Sequence, residues 1–229
     1  MQRGKTIGVL GGMGPAATVE FFRRLVSATP ARSDQEHLHV IIDSDPSVPD
    51  RTAAILGRGG DPTPVLVSMA RRLKGAGAEL LAIPCNTAHH YLSAIREAVA
   101  VPVLDMPAEA AGRVKVDRVG LIATDGTIVS GIYQRAFSAR GIGFIIPEEA
   151  DQSRVMRVVG AIKSGGDPAG FAPEVAAVVS RLGDAGATAV VAACTEISLL
   201  DGEKMPLPWI DALDALVEAT IREGLKEDG

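Results

Sequence analysis

The sequence predicts an α/β protein made of two similar units with mainly parallel sheets, related by a pseudo-twofold axis. Three observations carry this expectation. Short aliphatic runs alternate with helical patterns along the chain, which is the pattern of repeated βα units. The runs are continuous rather than alternating in polarity, as in strands whose two faces are both covered by helices. A stretch of the first half also returns in the second, so the chain reads as two related halves.

Taken in order, the strand candidates are 6–10 (TIGVL), 38–42 (LHVII), 79–83 (ELLAI), 101–105 (VPVLD), 118–122 (RVGLI), 143–146 (GFII), 189–193 (AVVAA) and 207–211 (LPWID). Helices begin between them at recognisable signals. Pro15 follows a glycine turn at a first-helical position. Asp61-Pro62 supplies an N-cap and a proline at N1, after which Leu66, Met69 and Leu73 share one face. Asp167-Pro168 repeats the device. Glycines in KGAGAE (74–79) and GDAGAT (183–188) stop a helix before the next strand.

The repeat is explicit when RRLKGAGAELLAIPCNT (71–87) is laid on SRLGDAGATAVVAACTE (180–196). Arg72 meets Arg181, Leu73 meets Leu182, Ala76-Gly77-Ala78 meets Ala185-Gly186-Ala187, and Cys85 meets Cys194. Each half opens on a comparable strand and turn, TIGVLGGMG and RVGLIATDG. Each cysteine is followed by a helix-length segment and a proline-containing strand that ends in aspartate, Asp105 or Asp211. Two Rossmann-like units follow, with the site in the crevice where the parallel strands end. The expected division is 1–102 with 208–229 as a discontinuous first unit carrying Cys85, and 103–207 as the second, carrying Cys194.

Composition narrows the function classes. At 229 residues with 47% hydrophobic content the chain can bury a real core. Aromatics are only 3% and the net charge is −5, so neither base stacking nor a basic field for nucleic acid or anionic lipid is expected. No apolar run approaches the ~20 residues of a membrane span, and the N-terminus does not read as a secretory signal. A cytoplasmic protein with no nucleic-acid or membrane partner is expected. Two cysteines in a chain this long are not a disulfide framework.

What are the cysteines for? Metal binding through Cys85, His89 and His90 fails on the second half, where Thr195, Glu196, Ile197 and Ser198 follow Cys194 without a histidine. A Cys–His nucleophile leaves the other cysteine idle. Burial as small hydrophobes accounts for one cysteine better than for two at matched strand ends. The GGMGPA turn (11–16) fits a relaxed dinucleotide fingerprint through Gly12, Gly14 and Ala17. However, Pro15 removes a donor where phosphate would approach, and Asp43 and Asp45 lie too far along; a tight turn is the plainer reading. Two thiols facing each other across a pseudo-twofold suit the inversion of a stereocentre, one removing a proton and the other returning one to the opposite face. A helix start after each sulfur would favour the thiolate and supply N–H donors to a carboxylate.

These residues resemble the aspartate/glutamate racemase family, nearest its aspartate branch. The matching stretches are IGVLGGMGPAAT (7–18), DQEH (34–37), PDRTAAILG (49–57), PCNTAH (84–89), ATDGTIVSG (123–131) and CTEIS (194–198), in order across both halves. The resemblance implies a racemase that needs no cofactor, neither pyridoxal phosphate nor metal, and works as a homodimer on a small amino acid. It implies Cys85 and Cys194 as the two bases. Asn86, Thr87 and Thr195 would bind the α-carboxylate and its neighbours. Gly12 and Met13 would line the cleft opposite Thr124, and Arg51 with Lys163 would hold a distal carboxylate. One departure is DSDP (43–46), where an Asp45 facing the cleft would repel a diacid. Ala193, where glycine is common, is a second and smaller one. The alternatives are same-fold isomerases of hydantoin or maleate type, a single-thiol decarboxylase, and a silent amino-acid-binding protein.

Overall fold

The computed structural model describes residues 4–226; residues 1–3 and 227–229, at the two ends of the expected first unit, lie outside the described residues. In chain order the elements are β1 (Ile7–Gly11), α1 (Pro15–Ala28), β2 (Val40–Ser44), α2 (Arg51–Ile55), α3 (Thr63–Gly75), β3 (Leu80–Ala82), α4 (Leu92–Ala98), α5 (Met106–Arg113), β4 (Arg118–Ala123), α6 (Asp125–Ser130), α7 (Ile132–Ser138), β5 (Gly143–Ile145), α8 (Glu149–Lys163), α9 (Ala172–Asp184), β6 (Ala189–Ala193), β7 (Trp209–Asp211) and α10 (Ala212–Gly224). They form two parallel sheets, ordered β2-β1-β3 and β5-β4-β6-β7. β4 stands where β1 does, between the equivalents of β2 and β3, so the α/β fold and its internal repeat are both present.

The period of the strands sorts their side chains between two cores. Ile7 and Val9 of β1 and Ala189, Val191 and Ala193 of β6 join a shared interior with residues of α1, α5, α7 and α10. The opposite faces pack on each unit's own helices: Leu10 and Leu81 with Leu66, Met69 and Leu73 of α3, and Val190 and Ala192 with Val175, Val178 and Leu182 of α9. Leu73 and Leu182, matched in the repeat, also do matched work. A Cβ on Gly8 would come 3.2 Å from the Leu73 Cβ, and one on Gly120 would come 3.2 Å from the Leu182 Cβ. Each glycine therefore lets a helix lie close on its central strand. Burial of each leucine contributes about 1.5–3 kcal/mol.

Two expectations are corrected. β2 and β5 are not covered on both faces; Ile42 is 39% exposed and Phe144 36%. Both are edge strands, so a helix covers less of them. The expected strand at 101–105 shrinks to a single bridge between Val103 and Leu81. Leu81 N–H donates to Pro102 O and Leu104 N–H donates to Leu81 O, 2.9 Å each, and Pro102 has no N–H with which to extend the ladder. The bridge sets Val103 beside β3. β7 hydrogen-bonds to β6 in the second sheet. α10 reaches across, packing in the shared interior against α1 and α5.

Candidate active site

Cys85 and Cys194 follow β3 and β6, so both thiols emerge where parallel strands end. Both are buried, at 5% and 3% exposure. One cleft collects them together with Met13, Arg51, Asn86, Thr87, Thr124, Lys163 and Thr195. Gly12 belongs to the turn that carries Met13. The space enclosed there is small, about 10 Å³, room for roughly one water. A larger cavity of about 870 Å³ lies elsewhere, between Arg23, Arg113 and Trp209, and contains neither thiol.

The backbone after each cysteine differs from expectation. Thr87–Tyr91 is a 3-10 turn that only then leads into α4, and Cys194 is followed by a 3-10 turn at Ile197–Leu199 with no α-helix behind it. No α-helix starts directly behind Cys194 to lend it a dipole. Burial instead pushes its thiol well above the usual range, and the Glu196 carboxylate pushes the same way.

The fourth residue after each cysteine anchors the loop. Met106 N–H donates to His89 Nε2 at 3.1 Å, so the proton of the neutral ring sits on Nδ1 and is donated to Cys85 O at 2.9 Å. Burial keeps the ring neutral, against the pull of Asp105. In the second half Ser198 N–H donates to Cys194 O at 3.0 Å and the Ser198 hydroxyl donates to Asp211 at 2.5 Å. Asp105 and Asp211 occupy equivalent places as N-caps of α5 and α10, accepting from Ala108 and Leu213. The cysteine loops are thus tied to the helices that follow the next strand.

The two cations behave differently. Arg51, 8% exposed, donates to Val48 O, Pro49 O and Met13 O at 3.1, 3.1 and 3.2 Å. Its Nε is buried without a partner among the described residues. A buried guanidinium held only by carbonyl dipoles favours an incoming anion. Lys163 ends α8 and, though exposed as a residue, lines the cleft with its charge facing Glu196 and the two cysteines. Desolvation opposes the charge on Lys163, but Glu196 and the sulfurs of Cys194 and Cys85 outweigh it and raise the group above the ordinary lysine value.

Hydroxyls join the halves. Thr87 Oγ1 lies 2.9 Å from Thr124 Oγ1 and 2.8 Å from Thr127 Oγ1, and Thr124 caps α6 by accepting from Thr127 N–H. Tyr133 donates to Asn86 Oδ1 at 2.5 Å, which fixes the amide and leaves Asn86 Nδ2 buried without a partner among the described residues. Burial pushes the Tyr133 phenol up, keeping it a donor. Thr195 is buried in the cleft wall.

The DSDP departure is settled by turn chemistry. Asp45 is not among the cleft's lining residues; it accepts from Ser47 N–H and Oγ at 3.0 and 2.6 Å, with Arg72 3.6 Å away. In the glycine turn, Gly12 N–H donates to Thr18 Oγ1 at 2.9 Å, so that amide is already committed within the fold. Among the described residues no His, Cys, Asp and Glu side chains gather in a group able to hold a metal.

Sequence reasoning missed Glu196, Asp50 and Thr52 as cleft-lining residues and Tyr133 as the partner of Asn86. For Glu196 a signal existed: it stands where the first half has Thr87, a carboxylate at an otherwise matched position.

The sequence model of the Asp/Glu/hydantoin racemase family matches residues 10–220. A broad-specificity amino-acid racemase of Bacillus subtilis (strain 168), RacX, is 26% identical over 94% of this chain and 96% of its own. The aspartate racemase of Picrophilus torridus has a similar structure, with a TM-score of 0.83 and 28% identity over 98% of this chain and 96% of that one. An aspartate racemase homologue from Pyrococcus horikoshii OT3 shares the fold at a TM-score of 0.77 and 20% identity, over 97% of this chain and all of its own.

Proposed function

The chain belongs to the Asp/Glu/hydantoin racemase family, and from that premise we propose that it is a cofactor-independent racemase interconverting L- and D-aspartate, with glutamate as the second candidate substrate. One observation carries the reading: two thiols from equivalent strand ends line a single cleft that also holds Arg51 and Lys163. In the proposed reaction one sulfur, as thiolate, takes the α-proton and becomes a thiol. The other, as thiol, gives its proton to the opposite face of the α-carbon and becomes a thiolate. Charge that develops on the α-carboxylate is met by donors aimed at it, for which Asn86 Nδ2 and the hydroxyls of Thr87 and Thr195 are the candidates. Arg51 and Lys163 together oppose the distal carboxylate, and bidentate pairing suits the guanidinium. The enclosed volume is too small for an amino acid, so substrate binding requires the cleft walls to part. The resemblance also supports assembly as a homodimer and a cytoplasmic location.

The test is proton NMR of L-aspartate with the purified protein in D₂O, coupled to chiral chromatography. Loss of the α-proton signal with appearance of D-aspartate is the expected result. Silence with both aspartate and glutamate would overturn the substrate assignment. Saturable binding without exchange would make the protein an amino-acid binder, and a covalent cysteine adduct would move it to the maleate-type alternative.

A further inference from the structure

The two halves are not equivalent at the second residue after the cysteine. After Cys85 stands Thr87, whose hydroxyl is engaged by Thr124 and Thr127. After Cys194 stands Glu196, which is 6% exposed, with Oε2 lying 3.1 Å from Cys194 Sγ. In this contact the Cys194 thiol donates and the Glu196 oxygen accepts. The other carboxylate lining the cleft, Asp50, is occupied as the N-cap of α2, accepting from Ala53 N–H at 2.6 Å.

We propose that Glu196 makes the thiol pair unequal: it holds the proton on Cys194, so that the resting protein presents Cys194 as the acid and Cys85 as the base. This rests on the two-base reading above. After one inversion Cys85 carries the abstracted proton and Cys194 is a thiolate beside a carboxylate, two anions within hydrogen-bond distance. That state is disfavoured. It resets either by turning over the opposite enantiomer or by proton exchange with water: Cys85 releases its proton to solvent, and Glu196 takes one from solvent and passes it to the Cys194 sulfur. The thiols exchange roles with no net change in protons. The other charges facing Cys194 are Lys163 at the end of α8, Arg51 and Asp50 at the start of α2, and Cys85 across the cleft. Lys163 favours the thiolate and Glu196 opposes it. Burial acts in the same direction as Glu196, which is why the thiol form prevails.

The experiment measures alkylation of Cys85 and Cys194 by iodoacetamide as a function of pH, resolved by peptide mass spectrometry, in wild type and Glu196→Gln. Both thiols share one cleft, so their ratio cancels the opening step. In the variant the Cys194 profile is expected to move to lower pH by roughly one unit or more, while the Cys85 profile stays in place as an internal control. Racemisation supplies a second readout. The enantiomers have equal free energy, so kcat/KM is the same in either direction. Its alkaline limb, which reports loss of the acid, should fall with the Cys194 profile, and its acid limb should stay. Glu196→Asp should lie between wild type and Glu196→Gln, and it carries the test alone if the amide variant does not fold. An unmoved Cys194 profile, or equal displacement of both cysteines, overturns the proposal. Failure of the wild type to racemise any amino acid would overturn the functional reading instead, and the alkylation profiles would still decide the role of Glu196.

Discussion

His89 donates from Nδ1 to the carbonyl oxygen of Cys85 at 2.9 Å, and its other nitrogen is filled by Met106 N–H. The ring therefore has no vacant nitrogen with which to move a proton, although it lies four residues from a thiol. Its part is to hold the Cys85 loop against the start of α5. Replacement by alanine should leave Cys85 O and Met106 N–H unpaired in the interior, at a cost of about 1–3 kcal/mol for each group so stranded. Asparagine, whose amide can imitate the Nδ1 donor, should recover part of the loss. Urea denaturation of the two variants checks the order.

The same ring makes a pH prediction. Burial lowers the folded-state pKa of His89 below its ordinary value of 6.5. Above about pH 6.5 the ring is neutral in both states and its contribution is fully present. As pH falls through that value the unfolded chain takes up a proton that the folded protein resists, and stability is lost. The His89→Asn variant should show a shallower loss of stability over this window than wild type, measured by denaturant midpoint against pH. Parallel curves would remove His89 from the account.

The cysteines make a sharper demand. Cys85→Ser and Cys194→Ser should each lower racemisation by at least about a hundredfold, the lower end of what a positioned acid or base contributes. Because each variant keeps one working thiol, residual exchange of the α-proton with D₂O should survive for one enantiomer only, and for opposite enantiomers in the two variants. NMR on each pure enantiomer reads this directly. Wild-type activity in either variant ends the two-base mechanism.

How much of this was legible before the structure depends on the kind of contact. The pairing of Cys85 with Cys194 was legible because the repeat is linear, and residues at matched strand ends come to the same crevice. Arg51 was legible as a cation near a strand end, though not as a side chain held by three carbonyls. Asp45 was misleading because sequence shows a carboxylate near the site but not that Ser47 turns it away. Glu196 was on the page as the partner of Thr87 in the alignment, yet its role depends on one Sγ–Oε2 approach that no spacing rule yields. The exposure of β2 and β5 was hidden for a related reason: an aliphatic run does not say whether its strand lies at the centre or the edge of a sheet.

Lys163 separates distal-carboxylate binding from catalysis. The residue is exposed and its charge faces the cleft, so Lys163→Met removes charge with little change in the core. KM for aspartate should rise tenfold or more, on the order of one charge-assisted hydrogen bond. KM for alanine, which has no distal carboxylate, should move far less in any preparation that accepts it. Equal effects on both substrates would place Lys163 elsewhere in the mechanism.

Gly12 carries the most local prediction. Its φ is +89°, a region that side chains rarely adopt, and a Cβ there would stand 2.5 Å from the backbone nitrogen and carbonyl carbon of Asp45. Asp45 N–H also donates to Gly11 O at 3.3 Å, so the two segments cannot separate without losing that bond. Gly12→Ala therefore meets both strain and collision, of order 1–3 kcal/mol for the backbone conformation alone. The turn also carries Met13, whose carbonyl accepts from Arg51 Nη2, so displacement reaches the guanidinium. The variant should be less stable by urea denaturation, and in its folded fraction KM for a dicarboxylate should rise because Arg51 has lost part of its mooring. A stable Gly12→Ala protein with unchanged KM would mean that the turn yields more easily than its packing implies, and that Arg51 is held well enough by Val48 and Pro49.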